Sequence, residues 1–129
     1  MSRPEQGAAV AFAPISTHVL DTVVGAPATG VPVHLDRLDG TAPAGTVDGA
    51  GWRRIGAGRT DGDGRLRHWV PAGEWGTGRY RLVFDLGAHL GPAAFYPEAV
   101  VSFEVTDPAR HLHLPLLLSP FGYTTYRGS

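Results

Sequence analysis

Three histidines and one arginine carry the chemistry this sequence can offer. His111 and His113 stand one residue apart in "HLHLPLLLSPFGYTTYRGS", and His18 stands far upstream in "ISTHVLD". Neutral imidazole titrates near working pH, so a histidine in a cleft can take a proton from water and return it to a leaving group. Alternate residues of a strand point the same way, which puts His111 and His113 on one face. That spacing also suits zinc, and His18 is then the one third ligand on offer. Arg65 follows the turn "DGDG". Alone it reads as a solvated strand-edge charge. The tail adds Tyr126, Arg127, Gly128 and Ser129, the last with a hydroxyl and a carboxylate.

Other chemistries drop out. With no cysteine there is no thiol nucleophile, disulfide or thiolate metal site. Ser16, Ser102 and Ser119 lack a Gly-x-Ser-x-Gly elbow. "DGDGR" opens like a calcium loop, but its fifth residue is Arg65 and its twelfth Ala72, where oxygen ligands belong. His34, His68 and His89 read as surface or hydrogen-bonded residues, and no metal is expected.

Short strands must position these groups. "VPVHLDRL" puts Val31, Val33 and Leu35 on one face; "YRLVF" does so with Tyr80, Leu82 and Phe84, and "VVSFEVTD" with Val101, Phe103 and Val105. "WRRIGAGRT" and "RLRHWV" flank "DGDG", which predicts a hairpin because Asp-Gly favours two-residue turns. "GAHLGPAAFYPE" holds one helical turn, ended by Gly91-Pro92. "HLHLPLLL", the turn "SPFG" and "YTTYRGS" form the last strand pair. Eight strands with hardly any helix make an all-β sandwich. Leu112, Leu114, Leu116 and Leu118 face its core, so His111, His113, Pro115 and Leu117 look outward. In the first strand Thr17 and Val19 take one side, and Ser16, His18 and Leu20 the other. If both strands lie in one sheet, His18 and His113 converge on an outer face whose apolar groups call for a second subunit.

At 129 residues the chain suits one domain, and its net charge of -1 offers no field for nucleic acid or an anionic membrane. No run of 18 apolar residues exists. Residues 1–13 lack strand alternation and a secretory apolar core, and read as a flexible leader. Together with the missing cysteine, this leads us to expect a cytoplasmic protein.

Three stretches resemble a known family. "LLLSPFGYTTYRGS" is similar to the C-terminal signature of the transthyretin-like proteins, and "YRGS" to the mark of their 5-hydroxyisourate hydrolase branch. "STHVLDTVVGAPA" resembles the family's first strand and "RTDGDGRL" its central Thr-Asp-x-x-Gly-Arg stretch, with "FYPE" a further landmark. The likeness covers about residues 15 to 129, with the motifs in the family's order. Against the usual pattern the loop at 39–51 is expanded and the 86–95 segment shortened.

The resemblance implies a transthyretin-like sandwich of two four-stranded sheets with one short helix, spanning residues 14–129. It implies a homotetramer, a dimer of dimers, whose active sites lie at the dimer-dimer interface. The implied reaction hydrolyses the cyclic amide of 5-hydroxyisourate to 2-oxo-4-hydroxy-4-carboxy-5-ureidoimidazoline in urate catabolism, without a cofactor. Carried over residue by residue, His18, Arg65, His113 and Ser129 form the catalytic set. His18, Arg65, Tyr126, Arg127 and Gly128 hold substrate. Which histidine acts as general base stays open, and the family gives His111 no role. The alternative is a small-ligand carrier of the transthyretin type, whose channel walls are expected to be non-ionic; His18, His113 and Tyr126 stand against it.

Overall fold

The computed structural model describes residues 13–39 and 51–128. The leader at 1–13 (save Ala13), most of the 39–51 loop and Ser129 lie outside the described residues. Among the described residues nine strands form two sheets: β1 (Ile15–Asp21), β2 (Ala26–Pro27), β3 (Pro32–Leu38), β4 (Trp52–Arg59), β5 (Arg65–Leu66), β6 (Gly78–Asp85), β7 (Glu98–Val105), β8 (Leu112–Ser119) and β9 (Gly122–Thr125). One four-residue helix, α1 (Gly87–Leu90), follows β6, and Gly91 ends it with a φ of 93°. One sheet runs β4-β3-β6-β7; the other runs β2-β1-β8-β9, with β5 also paired to β1. The expected sandwich is the architecture found, and the second sheet gains a fifth, two-residue strand.

Alternation builds the core. Val33 and Leu35 of β3, and Tyr80, Leu82 and Phe84 of β6, turn inward against Ile15 and Val19 of β1 and Leu114, Leu116 and Leu118 of β8. Each such side chain taken from water contributes roughly 1.5–3 kcal/mol. Two buried hydroxyls are answered within the core: Tyr80 Oη donates to the Gly76 carbonyl at 2.7 Å, and Thr17 Oγ1 to the Leu114 carbonyl at 2.6 Å. β1 and β8 lie parallel, with Ser16 opposite His113, His18 opposite Pro115 and Leu20 opposite Leu117. That register sets the outer face where the chemistry lies.

The hairpin expected around "DGDG" does not form. β4 belongs to one sheet and β5 to the other, so the turn carries the chain between them. Buried Thr60 makes the difference: its hydroxyl donates to the Ala28 carbonyl at 2.7 Å and accepts the Val31 N–H at 2.9 Å, which ties the chain to the β2–β3 connection. Asp61 then folds the turn on itself. Its Oδ1 accepts the N–H groups of Asp63 and Arg65 at 2.8 and 2.9 Å. The Arg65 bond, and then the Asp63 bond, hold the Asp61 carboxyl below its ordinary range.

Gly64 makes this delivery possible. Its φ is 74°, its carbonyl accepts the Val19 N–H at 2.8 Å, and a Cβ there would lie 2.5 Å from the Val19 carbonyl oxygen. Gly64→Ala is therefore expected to destabilise the fold by roughly 1–3 kcal/mol, read as a fall in Tm of about 3–10 °C. An unchanged melting curve would show that β5 docks without this contact.

Candidate active site

Across the outer face of the β1–β8 sheet the register sets the site residues in two rows. Arg65 pairs with His18, and His18 with Pro115. His113 bridges Gly128 in the same register that pairs Leu116 with Thr125, so Tyr126 falls opposite Pro115. The first row is thus Arg65, His18, Pro115 and Tyr126; the second, one step along, is Ser16, His113 and Gly128. Neighbouring strands lie about 4.8 Å apart, so His18, Arg65 and His113 occupy one small patch.

Each group is held differently. His18 donates from Nε2 to the Asp63 carbonyl at 2.8 Å, which fixes the ring on the turn that delivers Arg65. The Arg65 backbone is pinned by Asp61, while its guanidinium acts by charge on His113 and Asp61. His113 Nδ1 lies 2.8 Å from Ser16 Oγ, and the same hydroxyl lies 2.9 Å from His111 Nε2. His111 Nδ1 in turn meets the Ala13 carbonyl.

Burial first, and then the charges of Arg65, His111, His18 and Arg67, hold His113 below the ordinary histidine value of 6.5. A half-buried imidazole beside the Arg65 and Arg67 guanidiniums stays neutral at neutral pH, which suits proton abstraction.

Gly128 has a tighter reason to be glycine than open approach by a ligand. Its N–H donates to the His113 carbonyl at 2.7 Å, and a Cβ there would lie 3.0 Å from His113 Cδ2. The close contact is with the imidazole itself. Tyr126 lies on the site face and is 56% exposed, so its phenol stands at the rim.

Arg127 is the exception. It points away from the histidines and lines a small pocket with Phe103, Thr106, Leu112 and Leu114. Alternation is the cause, because Arg127 lies between two residues of the outer face. The substrate-binding role expected for Arg127 is therefore not supported by its position. Ser129 lies outside the described residues. His34 and His89 serve carboxylates: His89 Nε2 donates to Asp21 at 2.8 Å, and His34 Nε2 lies 3.6 Å from Asp36.

Reading the sequence missed Ser16 and His111 as partners of His113. By type Ser16 suggests a nucleophile and by spacing His111 a zinc ligand; in the structure each turns a polar atom to its neighbour. Their shared face was visible in the alternation; the parallel register that brings Ser16 opposite His113 was not. Among the described residues no three His, Asp or Glu side chains converge as a metal site needs.

The HIUase/Transthyretin family model matches residues 15–128. The uric acid degradation bifunctional protein TTL of Arabidopsis thaliana is 46% identical over 123 residues, covering 90% of this chain. This chain spans only 37% of that protein's length. The 5-hydroxyisourate hydrolase of Caulobacter vibrioides is 40% identical over 123 residues, covering 89% of this chain and 97% of that protein. A crystal structure of sea bream transthyretin in complex with thyroxine superposes with a TM-score of 0.74 at 32% identity, covering 89% of this chain and 94% of that one. With a family model spanning nearly all of the described sandwich and relatives of matching length, this chain belongs to the HIUase/Transthyretin family.

Proposed function

We propose that this protein hydrolyses 5-hydroxyisourate to 2-oxo-4-hydroxy-4-carboxy-5-ureidoimidazoline in urate breakdown, with His113 as general base. The observation that carries the reading is the grouping of His18, Arg65 and His113 on one outer sheet face. A bare carrier surface has no use for a neutral base beside a guanidinium. His113 Nε2 takes a proton from water as the water oxygen bonds to ring C6. Arg65 stabilises the charge that develops on the carbonyl oxygen. Collapse breaks the ring C6–N bond, and the protonated His113 returns its proton to the departing nitrogen. His18, with Nε2 committed to Asp63, offers Nδ1 to a substrate N–H. Tyr126 closes the rim, and Ser129 enters on the family pattern alone.

The cleft is completed by further copies of the chain in a dimer of dimers. Leu20 and Leu117 share the site face, and Val23, Val24 and Phe121 beside it are 63, 69 and 78% exposed. Apolar surface of this kind marks an interface. β7 and β9 each end their sheet and offer edges for pairing. A cytoplasmic setting rests on composition; among the described residues no helix is long and apolar enough to cross a membrane.

The test generates 5-hydroxyisourate from urate with urate oxidase and follows its ultraviolet decay. Catalytic amounts of this protein are expected to accelerate that decay, and sedimentation to return four chains. Unchanged decay with tight binding of an aromatic ligand would favour a carrier of the transthyretin type. A monomer with full activity would remove the shared cleft.

A further inference from the structure

We propose that His111 and Ser16 are positioning residues that order the protons around His113, fixing it as the Nδ1–H tautomer with Nε2 bare. The inference deepens the reading of His113 as general base and rests on it. It follows from counting donors along one chain of contacts. The Ala13 carbonyl can only accept, so His111 Nδ1 carries a proton. Neutral His111 then has a lone pair on Nε2, and the one proton of Ser16 Oγ must point to it across 2.9 Å. Ser16 Oγ is left as an acceptor towards His113, so the contact at 2.8 Å is completed only by a proton on His113 Nδ1. No other arrangement of neutral groups satisfies all three contacts. The ring nitrogen left without a proton is Nε2, the atom from which a base works.

The relay has a direction, and His111 sets it. Remove the acceptor at His111, and the partner left to the Ser16 proton among the described residues is His113 Nδ1. The His113 proton then moves to Nε2, and the base becomes a donor. His18, Arg65 and Arg67 also act on His113 by charge, and His18 is tied to Asp63. They disfavour the imidazolium but do not choose between its neutral tautomers.

The test is side-chain nitrogen NMR of the full-length protein labelled at histidine, at a pH where His113 is neutral. The wild type is expected to show a protonated Nδ1 and a bare Nε2 at His113. His111→Ala alters an exposed residue and is expected to swap the two signals. It should also lower kcat roughly tenfold or more with little change in KM, within the ~10⁴ that a fixed wrong tautomer costs a serine-protease triad. His111→Gln, whose amide oxygen can accept the Ser16 proton, is expected to restore both. A structural role alone would lower Tm in His111→Ala and leave the tautomer as it was, which overturns the proposal. So would a wild-type His113 protonated on Nε2. The nitrogen signals need no substrate: a held tautomer without turnover would sink the hydrolase reading and leave the relay standing.

Discussion

His113→Ala is expected to lower kcat/KM for 5-hydroxyisourate by roughly 10²–10⁴-fold, the range lost with a positioned general base. The fold should survive, because the link from β8 to Gly128 runs through the His113 carbonyl and not through its ring. The pH profile gives the same assignment a second reading. Acid protonates the base, so kcat/KM falls as pH drops through the His113 titration. Burial and the surrounding cations lower that titration, so the acid limb is expected below 6.5. Its midpoint belongs to coupled groups, since His111 and His18 both act on the ring. A variant keeping more than a tenth of wild-type activity, or an acid limb above the ordinary histidine value, would move the base elsewhere.

Arg65→Lys is expected to cost nearly as much as Arg65→Ala, about 10²–10³ in kcat. An ammonium keeps the charge but not the planar fork that meets a carbonyl and the adjoining ring edge together. Stability should change little in either variant. The Arg65 bond to Asp61 uses the backbone N–H, which both substitutions keep, and β5 still pairs Arg65 with His18 through the main chain. Turnover in the Lys variant equal to wild type would show that a point charge suffices. Loss of turnover together with a large fall in Tm would show instead that the side chain props the turn.

Much of this arrangement was legible as alternation. The leucines of β8, the inward Tyr80, Leu82 and Phe84, and the outward His18 and His113 all follow from a period of two, and all lie where that period puts them. Turn chemistry was less informative. "DGDG" announces a reversal, but not which edge receives the returning strand; Thr60, buried among main-chain partners near residue 30, sends it to the other sheet. The Tyr-Arg-Gly-Ser tail was read as one block because it resembles a family motif. Its own alternation already set Arg127 apart from Tyr126 and Gly128, and the pocket near Phe103 is where it goes. The choice of base was out of reach, because it depends on a hydroxyl 97 residues away in the chain. No local pattern reports a partner at that distance.

The parallel pairing of β1 with β8 has a consequence for biosynthesis. The 97 residues from Ser16 to His113 take roughly 5–20 s to emerge from a ribosome. Throughout that interval the nascent β1 has only two-residue neighbours, β2 and β5, in its sheet. Its long flank stays open to other growing chains. The strand that delivers the His113 imidazole is also the one that shields this flank, so a newborn polypeptide gains its base and covers its exposed edge in a single late event.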